Sequence, residues 1–140
     1  LNRITRLLVV LALSLLPAGA VSVPALAETA DVRVQRIWQH AHAPSGTGQK
    51  SEIVAYDDRT DTLWVAGVVG VDVLDRATGA LVEHIDVTSL GAVNSVAIHK
   101  GLAALAIEST VDRTLPGVVV FYDTRTREQD GTAVTVGALP

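Results

Sequence analysis

From residue 51 onward the chain trades apolar and polar residues in short runs, and each run ends in a cluster of Asp, Thr, Gly, Arg or Lys. Alternation of period two is the mark of a strand with one face buried, and β-branched residues favour the pleated, packed state. The runs predict strands over Glu52–Tyr56, Leu63–Ala66, Val71–Leu74 and Leu81–Val87. A second set follows over Ser95–His99, Leu102–Ile107, Val118–Tyr122 and Ala133–Val136. Between them lie turn sequences: Asp57–Asp61, Asp75–Gly79, the shorter His99-Lys100-Gly101, the longer Glu108–Pro116, and Asp123–Thr126. Aspartate at a turn start accepts hydrogen bonds from nearby backbone amides, and Gly79 can take positive φ where the chain reverses. No helical periodicity is found after residue 27.

The two sets of strands repeat each other. Val93-Asn94-Ser95-Val96-Ala97-Ile98 falls 42 residues after Ser51-Glu52-Ile53-Val54-Ala55-Tyr56. Gly137-Ala138-Leu139-Pro140 falls 46 residues after Gly91-Ala92-Val93-Asn94. A period in the forties built of short strands is the spacing of β-propeller blades, each a small sheet that buries its faces against its neighbours. A β-sandwich would also show about eight short strands, but it has no reason to repeat itself. The pattern predicts an all-β, incomplete propeller: blade 1 over residues 51–92, then blade 2 and the start of another repeat over 93–140. Two blades cannot close a ring, so a larger protein is expected, its missing part downstream. The remaining blades are then this chain's first partner.

Residues 1–27 read as a secretory signal peptide. Arg3 and Arg6 precede the apolar stretch Leu7–Leu16, and Ala25-Leu26-Ala27 supplies small residues for cleavage before Glu28. A bilayer span needs about 20 apolar residues, and Pro17 and Gly19 interrupt this one too early, so no membrane span is expected after cleavage. The expected location is secreted, periplasmic or cell surface. The first residue is Leu1, and no methionine is present. Residues 28–50 are expected to hold one strand, Asp31–Trp38, which would complete the last blade of the ring, and a loop over Ala43–Lys50. There is no cysteine, which excludes disulfides, thiolate metal sites and a lipid-bearing thiol. The net charge of the chain is −4, and without the leader it is about −6. That balance argues against a nucleic-acid binder, which needs a basic face for phosphates.

Candidate chemistry is sparse. Glu52 and Asn94 occupy equivalent positions at the entry to the first strand of successive blades, where a propeller's channel opens. Glu108, at the end of the second repeat's next strand, is expected on the same side. Oxygen atoms gathered there would suit Ca²⁺, which takes six to eight of them, or a polar ligand group. The plainer alternative is that these side chains hydrogen-bond backbone groups at strand entries. His40 and His42, two residues apart, would face one way on an extended segment and could chelate a transition metal, although no third ligand is near in sequence. His84 and His99 stand alone. Asp57, Asp58 and Asp61 lack the Gly and distal Glu of a calcium loop and read as turn residues. Trp38, Trp64, Tyr56, Phe121 and Tyr122 read as core or inter-blade packing. Ser45, Ser51, Ser89, Ser95 and Ser109 have no context of an activated nucleophile, and no catalytic residues are expected.

The ordered series Ser51–Asp57, Val71–Asp75, Val93–Ala97, Leu102–Glu108, Gly117–Asp123 and Val134–Pro140 resembles the choice-of-anchor I family over residues 51–140. Its repeats are similar to YVTN and LVIVD propeller repeats, and the family is similar to mesenchyme-specific cell surface glycoproteins. The resemblance implies a propeller on a secreted or surface-attached protein. Some members are labelled alkaline phosphatases or carry phosphoesterase modules, but any such module would lie beyond Pro140. The family usually has a Gly-rich approach to Val-Asn-Ser, and here only Gly91 remains. Two functions are therefore expected. The first is a non-catalytic binding or scaffold module with an extracellular ligand; the second is the propeller part of a secreted phosphoesterase using Ca²⁺.

Overall fold

The computed structural model describes residues 32–41 and 50–140. The leader, His42 and nearly all of the 43–50 loop lie outside the described residues. Eight strands follow one another: β1 (Ser51–Asp57), β2 (Thr62–Gly67), β3 (Gly70–Asp75), β4 (Leu81–Asp86), β5 (Gly91–His99), β6 (Leu102–Ser109), β7 (Pro116–Asp123) and β8 (Val134–Ala138). They form two antiparallel four-stranded meanders in the orders β1-β2-β3-β4 and β5-β6-β7-β8. Each sheet is one sequence repeat. The chain is all-β, with two blades of an incomplete propeller.

The turn chemistry explains where strands stop. The carboxylate of Asp75 accepts the amide and hydroxyl of Thr78 at 2.8 and 2.7 Å, and the Gly79 amide closes the turn onto the Asp75 carbonyl at 2.8 Å. In the second blade the Asp123 carboxylate accepts the amides of Arg125 and Thr126, and the Arg127 amide returns to the Asp123 carbonyl at 2.8 Å. The left-handed residue that ends this turn is Gly79 in one blade and Arg127 in the other.

Residues 32–41 form no strand. The strand expected over 31–38 is thus absent from its described part. The reason is that a strand needs a hydrogen-bonding edge, and neither sheet lends this segment one. Residues from Gln35 belong to the same compact unit as both sheets. The indole N–H of Trp38 donates to the Arg76 carbonyl at 2.9 Å. Its ring lies so close to Gly79 that a Cβ there would stand 2.5 Å from it.

The two sheets meet mainly where β5 lies against β1 and β2, which is the convergence of blades on a common axis. Cross-strand register puts Ala55, Trp64 and Val73 in one row, with Ala66, Val71 and Ile85 beside them. This face of blade 1 packs on the row Val96-Leu105-Val120 of blade 2 and its neighbours Ala103, Ile107 and Tyr122. Trp64, Leu105, Ile107 and Val120 are fully buried. Tyr56 departs from the expected packing role. It is 49% exposed, its hydroxyl donates to Asp61 at 2.8 Å, and the Arg76 guanidinium lies 5.9 Å from its ring centre.

The repeat also relates the faces of the two blades. The rows of blade 2 equivalent to Trp64, Ala66, Val71 and Val73 hold Ala104, Ala106, Val119 and Phe121, on the face away from blade 1. All four are partly exposed. One face of each blade therefore receives a sheet, and blade 2 has that face open.

Candidate functional site

The channel-side strands β1 and β5 carry the same irregularity. Ser51 pairs with Gly67 and Ile53 with Ala66, leaving Glu52 as an extra residue. Val93 pairs with Ile107 and Ser95 with Ala106, leaving Asn94 extra in the same way. A β-bulge lets one residue escape the alternation of the strand and re-aims its side chain. Both bulges lie 42 residues apart, at the position the repeat comparison singled out.

Asn94 is half-buried, and its amide donates to Glu108 Oε2 at 3.3 Å and to the Pro140 carbonyl at 3.5 Å. The Glu108 side chain is 15% exposed, and the same Oε2 accepts Arg113 Nε at 3.1 Å. The fold thus brings Asn94 and Glu108 together at the entry of β5. Glu52 is exposed and makes no hydrogen bond or ion pair with either. Among the described residues no three His, Asp or Glu side chains gather closely enough to hold a metal ion. The cluster consists of an amide and a charge-compensated carboxylate, and Glu52 is not part of it.

A second polar cluster was not foreseen. Asp72 on β3 is buried, and its carboxylate meets His84 Nδ1 from β4 at 2.5 Å and His40 Nε2 at 3.7 Å. Asp72 and His84 are direct cross-strand partners, so the register of β3 and β4 held the signal. His40 is placed against this carboxylate, and His42 lies outside the described residues. His99 is exposed in the β5–β6 turn.

A third polar group joins the blades. Asp57 is buried at the end of β1, and its carboxylate accepts the Thr60 hydroxyl at 2.5 Å and the Arg59 amide at 3.4 Å. Burial pulls its pKa upward, but hydrogen bonds from Thr60, from Thr124 of blade 2 and from the Arg59 and Thr60 amides outweigh it and hold the carboxyl below its usual value. Nearby, the Arg59 guanidinium donates to the Lys100 carbonyl, and Arg127 of blade 2 pairs with Glu83 of blade 1.

Two sheets of one repeat, stacked about a common axis with bulged inner strands, define a propeller repeat protein. A sequence model of the choice-of-anchor I domain matches residues 52–140. The chain belongs to the choice-of-anchor I family. No curated protein and no solved structure matches it significantly. Choice-of-anchor domains are typically found on secreted or cell-surface proteins, and among the described residues no helix is long and apolar enough to cross a membrane.

Proposed function

We propose that this chain is a non-catalytic, exported scaffold and binding module, the N-terminal part of a larger surface-anchored propeller. The observation that carries this reading is the unused face of blade 2. Its rows Ala104-Phe121 and Ala106-Val119 repeat those that blade 1 buries, and in blade 2 they are left partly exposed. An open sheet face of small apolar residues is suited to another sheet. Sedimentation and thermal unfolding of the chain test the reading. Self-association with broad unfolding is expected, because open faces and free edges seek partners. A monomer with a sharp, reversible transition would count against a further blade.

The paired bulges favour a ligand role for the channel mouth, with Glu52, Asn94 and Glu108 supplying its polar groups. The alternative of a Ca²⁺-using phosphoesterase needs acidic groups from further blades as well as a catalytic module. Titrating Ca²⁺ against the chain and its Glu52→Gln/Asn94→Ala variant separates the readings. Equal thermal response of both proteins would remove these residues from any calcium site. A shift of the parent alone would support it.

A further inference from the structure

We infer that the outer face of blade 1 is a docking face for the ring-closing blade, and that Trp38–His40 covers it as a displaceable cap. The inference rests on the open-ring reading above and adds a state of the chain to it. The outer face of blade 1 corresponds by repeat to the face that blade 2 turns toward blade 1. In blade 2 that face is sealed by a sheet: Val96, Ala103, Leu105, Val120 and Tyr122 are at most 8% exposed. On blade 1 the corresponding positions are covered only in the middle. Val65, Asp72 and Leu74 are buried beneath the segment, whereas Val54 remains 58% exposed and Leu63 half-exposed.

The fit of the segment is loose. A solvent-open cleft of about 260 Å³ remains between Trp38, His40 and the outer-face residues Val54, Leu63 and Val65. Apolar side chains that line an open cleft stay in contact with water and lack the dispersion contacts of a packed interior. Among the contacts of the segment are the indole hydrogen bond to Arg76, the ring on Gly79, and His40 beside Asp72. A blade face presenting a full row of aliphatic side chains fills that space better than one tryptophan and one histidine. His84 is a partner of Asp72 within the sheet and stays with it when the segment leaves. The occupant that fits is therefore another blade of the same repeat.

The test uses the full chain. With blade 1 capped, self-association through the open face of blade 2 ends at a dimer. Removing the cap opens a second, different face, and head-to-tail pairing of unlike faces builds assemblies of more than two chains, which close into a ring where the blade rotations sum to a full turn. Velocity sedimentation of Trp38→Ala is expected to show species larger than dimers that increase with concentration. Trp38→Phe, which keeps most of the ring, is expected to restore the parent distribution. Identical distributions for parent and Trp38→Ala would overturn the cap. A parent that stays monomeric while Trp38→Ala associates would support the cap and remove the open face of blade 2 from the reading above. Hydrogen exchange on the parent guards against a variant that fails to fold: amides of residues 38–40 are expected to exchange at least about 10-fold faster than those of β6. Equal protection would make the segment a permanent part of the core.

Discussion

Asp57 shows how one residue's role changes with its surroundings. In the chain it is the first of several aspartates in a polar turn, and a turn is what it starts. It is also 1% exposed, because blade 2 closes over it with Thr124. Its folded pKa is depressed, so as pH falls the unfolded chain takes up the proton first. The stability it provides is complete above the unfolded value of about 3.9 and is lost as pH falls through the lower folded value. Asp57→Asn is expected to cost about 1–3 kcal/mol at neutral pH and to flatten part of the acid limb in urea unfolding. An acid limb identical to the parent's would show the carboxylate to be unlinked to folding. Other contributions to that limb come from Asp61, lowered first by its hydrogen bond from Arg76, and from Asp75, Asp86, Asp112 and Asp123. For these last four the cause lies in the turns. Hydrogen bonds from Thr78, Thr88, Thr114 and Thr126, respectively, are the first cause of their lowering.

At the scale of elements, the β4–β5 connection decides how one blade follows another. Leu90 and Gly91 both donate their amides to the Val87 carbonyl, and the chain enters β5 at Gly91 with φ of +147°. A Cβ on Gly91 would stand 1.8 Å from the Glu108 carbonyl oxygen. That contact is with the backbone of the adjacent strand, so no side-chain rotation relieves it. Gly91→Ala is expected to lose more than about 2 kcal/mol and to loosen the neighbouring Asn94–Glu108 pair. Chemical denaturation gives the first effect, and the Asn94 side-chain amide resonances give the second. An unchanged midpoint would mean that the entry to β5 tolerates the ordinary extended conformation. Gly91 stands at the position where backbone meets backbone.

Across the whole molecule, the core belongs to neither blade alone. Trp64 of blade 1 and Leu105 of blade 2 lie in one buried cluster, and Asp57–Thr124 and Glu83–Arg127 bind the same junction. The two sheets are therefore expected to unfold together. Leu105→Ala leaves a cavity at the junction and is expected to cost about 2–5 kcal/mol. With Trp38 replaced by Phe, the fluorescence of Trp64 reports this loss from the opposite blade. If that signal unfolds at the parent's denaturant concentration while the far-ultraviolet dichroism shifts, the blades are independent units.

What the residue order determined on its own is local and periodic. Alternation every second residue predicted eight strands, Asp-Thr turns predicted their ends, and a 42-residue echo predicted two equivalent sheets. These are short-range properties, set by side-chain sterics and by hydrogen bonds spanning a few residues. The bulges at Glu52 and Asn94, the Asp72–His84 pairing and the placement of His40 were decided by tertiary structure. So was the exposure of Tyr56, which shares the open outer face of β1 with Val54. A bulge requires two strands to disagree in length, and burial requires a second sheet at about 10 Å. Trp38 has the pattern of a strand and becomes one only beside an available edge; on blade 1 it meets a face. A residue's period says which way it points, but only the neighbouring sheet decides whether anything is there.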